Sequence, residues 1–270
     1  MRGVYAVALL SFKEGLRHRV LYGVLLAALL LMGCTVLVSG FFLRDISKVI
    51  LDFCMATVTL GGLTIPFFLA IHLLAKDIER RTIFTLLTRP ISRGQYLIGK
   101  FFGLFLITGL IMLLLTGGVW LCLWGGEFLF GSRFFVTVSW VSIVAALFLS
   151  WLSVLILNAF VVLWSTVTTS SFLATLLTLF SYVIGHSIDD VVRFLQVEVT
   201  MIKISDSIRM TVDVVKYLFP NLAAFDLKSA AAHGLSIPFT DVLILTTYAT
   251  AYIVVLLVLS TLFFNRRDLA

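Results

Sequence analysis

Residues 76–100 read KDIERRTIFTLLTRPISRGQYLIGK, a basic passage set between two long apolar runs. Six of its 25 residues are Lys or Arg (Lys76, Arg80, Arg81, Arg89, Arg93, Lys100), against two acids, Asp77 and Glu79. Residues 49–75 before it and 101–124 after it are each long enough and apolar enough to cross a bilayer as a helix, which needs about 20 residues. A charged passage between two such runs is a loop at a membrane surface. Working outward from it, the rest of the chain reads as further spans or their flanks.

Composition agrees. Of 270 residues, 61% are hydrophobic and 13% charged, where a soluble domain carries roughly 25% charged residues. Alternating segments of about ten residues, the mark of a membrane barrel, are absent. The fold class expected is an all-α polytopic membrane protein. The three cysteines (Cys34, Cys54, Cys122) lie inside apolar runs and form no CxxC pair. They read as small buried hydrophobes, so no metal and no haem is expected. The net charge of +6 could suggest nucleic acid, but its distribution fits membrane topology instead, and no nucleic-acid partner is expected.

Residues 2–19 carry Arg2, Lys13, Arg17 and Arg19 around a short apolar patch that runs into KEGLRHR rather than a cleavage site, which excludes a signal peptide. Tyr5, Leu9, Phe12 and Leu16 share one helical stripe. This pattern predicts an amphipathic helix on the cytoplasmic membrane surface. Spans are expected at 20–42, 49–75, 101–124, 134–164, 172–184 and 242–264, within one transmembrane domain covering 1–270. Pro66 lies inside the second span, where its ring disturbs the helix. Residues 134–184 hold no charge at all and are too long for one helix at 1.5 Å per residue. The polar run STVTTSS at 165–171 divides them. Asn158 is the one strongly polar side chain in either arm, and its expected partner is a neighbouring helix.

Residues 185–240 change character: charge returns, interleaved with apolar positions at helical spacing. Ile188, Val192, Leu195, Val199 and Ile202 form one stripe; Ile208, Val212, Val215 and Phe219 form another. Two amphipathic helices on the outer surface are expected, the second ended by Pro220-Asn221. With six spans both termini share a side. Twelve of the 20 Lys and Arg fall with the termini and the central stretch, so the positive-inside rule makes that side cytoplasmic.

Several motifs are tempting. Residues 94–100 match GxxxxGK, but Phe101 stands where a phosphate loop needs Ser or Thr, and no strand precedes it. Ser92 and Gln95 instead form an S-x-x-Q capping box that starts the third helix. Gly99 and Gly103 form a GxxxG pair that permits close approach of a neighbouring helix. Ionisable residues at mid-depth, the usual sign of proton coupling, are missing; Asp52 and Asp241 lie near span ends. No catalytic motif occurs, so no catalytic residue, bound cofactor or enzymatic activity is expected in this chain. In the central stretch Asp77 can cap a short helix, 78–88, that ends ahead of Pro90 because the residue before proline avoids helical dihedrals. With Ile83, Leu86 and Leu87 apolar and Glu79, Arg80 and Arg81 charged, it fits a docking knob for a soluble protein. A positive loop that only fixes topology fits equally.

These residues resemble a known family. Glu79-x-x-Thr82, then Leu86-Leu87-Thr88-Arg89-Pro90-Ile91-Ser92-Arg93, then Ile98-Gly99-Lys100-Phe101 are similar to the signature of the type 2 ABC exporter permeases. The passages at 217–225 and 263–269 agree in layout. The resemblance implies an N-terminal interfacial helix, six spans and two permeases, identical or homologous, paired into one pathway in a bacterial inner membrane. It also implies a separate cytoplasmic ABC ATPase dimer. On that resemblance 78–89 is the coupling helix, with Glu79 and Arg81 as ATPase contacts. Ile78, Thr82, Leu86, Leu87, Pro90 and Arg93 belong to the same coupling segment, 76–100. The pair Arg80-Arg81 departs from the small residues common before the Thr and makes the knob more basic. The alternative is a membrane scaffold or maturation factor without a transport cycle.

Overall fold

The structure is a computed structural model that describes residues 2–42, 45–69, 92–135, 139–198 and 206–266. These residues contain no strand. Their helices are α1 (Arg2–Leu16), α2 (Arg19–Ser39), α3 (Ile46–Leu69), α4 (Arg93–Phe130), α5 (Trp140–Val167), α6 (Ser171–Glu198), α7 (Asp206–Leu218), α8 (Lys228–Ala232) and α9 (Phe239–Arg266). Six of them, α2 to α6 and α9, are long and apolar enough to cross a membrane. The chain is therefore a multi-pass membrane protein of the all-α class. The expected N-terminal helix is present as α1.

Helix α5 is the centre of the bundle. It is apolar around its whole circumference, and such a helix belongs in the interior. Ile156, Leu157, Ala159, Val161 and Val162 are all fully buried. α3, α4, α6 and α9 pack around it. α2 and α9 are less enclosed and keep long apolar faces open, including Leu26, Leu30 and Leu37 on α2 and Val254, Val258 and Leu262 on α9. Faces of that kind suit lipid or a second membrane protein rather than water.

The polar run at 165–171 divides α5 from α6, with the turn at 168–170. The Thr168 hydroxyl donates to the Trp164 carbonyl (2.7 Å) and Thr166 to Leu163 (2.7 Å), so local side chains satisfy the last carbonyls of α5. Asn158 finds its neighbour: Nδ2 donates to Thr108 Oγ1 on α4 at 3.3 Å, while its buried Oδ1 accepts from no donor among the described residues. Thr108 already donates to the Leu104 carbonyl (2.8 Å) and does not depend on Asn158. Asn158→Leu is thus expected to be neutral or to stabilise by about 1 kcal/mol, because it removes an unsatisfied buried oxygen without stranding a donor. Reversible unfolding in mixed micelles checks this; a loss above 2 kcal/mol would contradict it.

The fifth span differs from expectation. The helix does not end near residue 184 but continues unbroken to Glu198, joining the fifth span to the first amphipathic stripe. Gly185 alone does not break it, because the glycine is used for contact. A Cβ there would lie 2.7 Å from the Pro220 carbonyl oxygen and 3.0 Å from the Leu222 side chain. Leu222 N–H donates to the Gly185 carbonyl at 2.8 Å. Beyond it, Asp189 and Arg193 pair one turn apart at 2.6 Å on the extension.

The second stripe forms α7, which ends at Leu218, just before Pro220. The segment that follows folds back among the spans. Phe225 and Leu222 are buried, and α8 packs on α3 and α5. Asn221 N–H donates to the Tyr248 hydroxyl at 3.1 Å, and the Tyr252 hydroxyl donates to the Leu218 carbonyl. Tyr248 and Tyr252 lie two and a half to three and a half turns into α9, so this segment reaches well below the start of that helix. Non-helical backbone at such a depth is tolerated where protein surrounds it.

Candidate functional site at the start of the third span

Three elements meet at the first turns of α4. Ser92 is extended and caps the helix: its Oγ accepts from Gln95 N–H at 3.3 Å, and Gln95 Oε1 accepts from Ser92 N–H at 3.2 Å. The reciprocal box fixes where the helix begins. It also removes the phosphate-loop reading, since residues 94–100 are helical and Lys100 is 3% exposed inside the bundle.

One face of this start grips the end of α9. Arg93 Nη1 donates to the carbonyls of Phe264 (3.2 Å) and Asn265 (3.3 Å). These belong to the last turn of α9, whose carbonyls have no partner within the helix. A cation at a helix C-terminus also meets the negative end of the dipole, an effect of roughly 0.3–1 kcal/mol when exposed. The guanidinium sits 5.9 Å from the centre of the Phe264 ring, and Tyr96 stacks on the same ring at 6.4 Å.

The next two turns receive α1. A Cβ on Gly99 would lie 2.7 Å from Val7 Cβ and 3.0 Å from the Val4 carbonyl oxygen. On Gly103 it would lie 2.5 Å from Ser11 Cβ and 3.1 Å from the Ala8 carbonyl oxygen. Both glycines therefore set α1 against α4 at backbone distance. Lys100 Nζ lies 3.6 Å from Glu14 Oε2 on α1 and 5.9 Å from the Tyr96 ring. Burial of a charged ammonium is costly without such partners.

Of the expected coupling residues, Ile78, Glu79, Arg81, Thr82, Leu86, Leu87 and Pro90 lie outside the described residues, as does the expected helix 78–88. Arg93, Gly99 and Gly103 lie within them, on the first three turns of α4. Sequence reasoning did not reach the pairing of Arg93 with α9 or of Lys100 with Glu14. Among the described residues no group of three His, Cys, Asp or Glu converges on a metal site.

Farther along the bundle, an open apolar groove of ≈ 430 Å³ runs between α4 and α5 beside Phe105, Leu110 and Trp151. A second, of ≈ 460 Å³, lies between α5 and the start of α9 beside Trp140, Ile237 and Phe239. They share Val144 and Phe148. A small pocket of mixed lining brings Ser150, Ser153, His186 and Asp226 beside Leu63 and Phe225. At the end of α4 away from α1, Trp120 stacks on Trp140 at 4.7 Å, and Trp124 is exposed nearby.

The sequence model of the ABC-2 family transporter proteins matches residues 5–269. No curated protein matches the chain.

Proposed function

The chain belongs to the ABC-2 transporter family, and we propose that within it the protein works as one half of an exporter whose energy comes from a separate ATPase. The match across 5–269 makes this chain the membrane-spanning permease subunit of an ABC transporter, a transport component rather than a catalyst. Two permeases, identical or homologous, pair to form the pathway. An ATPase dimer docks on the coupling helix 78–89 within the segment 76–100, with Glu79 and Arg81 as contacts. Both termini face the cytoplasm of a bacterial cell, and α1 lies on that membrane surface.

The observation that supports this reading best is the meeting of α1, the start of α4 and the end of α9 at one end of the bundle. That end carries Lys13, Arg17, Arg93, Lys100 and Arg266 and directly follows the basic segment 76–91 in sequence. Cationic residues concentrate on the cytoplasmic side of membrane proteins. Trp120, Trp124 and Trp140 lie at the opposite end, as expected of a membrane–water interface. Open apolar faces on α2 and α9 leave room for lipid and for a partner permease.

Affinity purification of the tagged chain from native membranes tests the reading. A P-loop ATPase is expected to accompany the native protein, and Glu79→Arg combined with Leu86→Asp is expected to reduce its yield at least tenfold, about 1.4 kcal/mol or more of lost affinity. Retention of the ATPase and of its stimulation by the doubly substituted permease would remove the coupling assignment. The scaffold alternative predicts that no ATPase accompanies the native chain.

A further inference from the structure

We propose that Arg93 is a positioning residue that makes the last span follow the coupling segment; this rests on the coupling role proposed above. Arg93 is the first residue of α4, immediately after the Ser92 cap. Displacement of the segment ahead of Ser92 therefore acts on a capped helix start. From there the guanidinium holds the carbonyls of Phe264 and Asn265, and Tyr96 one turn later stacks on the Phe264 ring. Tyr96 and Phe264 are both fully enclosed.

The rest of α9 makes this attachment consequential. Of the six spans it is the least enclosed, resting mainly on α5. At its cytoplasmic end Leu262 and Phe263 are exposed. The helix lies on α5 by one buried stripe, Ala249, Leu256 and Ser260, and a helix seated by one stripe and tied to α4 at its end follows α4 when that end moves. One to two turns farther along α4 than Tyr96, Gly99 and Gly103 hold α1 at backbone distance. The first three turns of α4 thus carry α1 and the end of α9 as one body. Arg93 acts inside the permease, not on the ATPase.

The test uses the full chain with its accompanying ATPase in lipid nanodiscs, the three cysteines replaced by alanine. Spin labels sit on two exposed positions, Tyr22→Cys on α2 and Leu262→Cys on α9. The distance between labels is expected to shift when the ATPase is trapped with ATP and vanadate. Arg93→Ala is expected to abolish that shift while retaining the ATPase at native yield. Arg93→Lys, which keeps a cation able to reach terminal carbonyls, is expected to restore at least half of it. A full shift in Arg93→Ala, or no shift in the parent, overturns the inference. Loss of the ATPase from Arg93→Ala makes the residue an ATPase contact, overturning the inference but not the proposed function. Absence of any ATPase from the parent overturns both.

Discussion

Replacing Gly99 and Gly103 together with leucine is expected to lift α1 off the bundle. The single carbon added at each position already falls 2.7 Å from Val7 Cβ and 2.5 Å from Ser11 Cβ. Cβ atoms do not move with rotamer, and the backbone carbonyls of Val4 and Ala8 lie close behind at 3.0 and 3.1 Å, so no rotamer change relieves the overlap. Overpacking costs about 1–3 kcal/mol per site in a close-packed interior, and a terminal helix can escape that cost by leaving. Its departure would uncover Val7, Ala8 and Ser11, all buried, and leave Lys100 without Glu14. Amide exchange reads the result: protection across 4–16 should fall by roughly 100-fold, the equivalent of about 3 kcal/mol. Unchanged protection in α1 would mean that the two helices do not meet through these glycines.

Gly185→Leu is expected to have the second large effect, at the other end of the bundle. The helix itself tolerates the change, since leucine is a better helix former than glycine. The obstacle is the Pro220 carbonyl oxygen, 2.7 Å from the added carbon, with Leu222 at 3.0 Å. The Gly185 carbonyl must also keep accepting from Leu222 N–H. Pushing the loop away withdraws Leu222 and Phe225 from the core, where they are 2% and 1% exposed. Loss of a large buried side chain from its site costs about 3–5 kcal/mol. Unfolding in mixed micelles should show a loss of that order, with exchange protection falling across 219–227 while α1 stays protected. Stability within 1 kcal/mol of the native chain would contradict the packing described.

Much of this fold is local and was readable. Apolar length marks the spans, the Ser92–Gln95 box marks the start of α4, and the threonine-rich turn at 168–170 separates α5 from α6. Asn158 was readable because a polar side chain in an apolar run needs a partner, and Thr108 is it. What was not readable is long-range. Arg93 pairs with carbonyls 171 and 172 positions away, and every residue carries a carbonyl, so no side-chain signal marks the target. Gly185 resembles a helix breaker in sequence; only the arrival of Pro220 and Leu222 explains why the helix passes through it. The docking residues from Ile78 to Pro90 rest on motif resemblance, whereas Arg93 has a described contact.

Helix α4 has one more consequence. From Phe101 to Gly126 it runs 26 residues without a charged side chain, about 39 Å at 1.5 Å per residue. The hydrocarbon layer is about 30 Å thick. To fit, the helix leans by about 40°, at the upper end of what spans adopt, or the bilayer thickens around it. Its lower end is fixed to α1 and α9, so a change of tilt turns those two with it. Lipid acyl length then becomes a mechanical input to the transporter, acting on the same turns of helix that the ATPase is proposed to move.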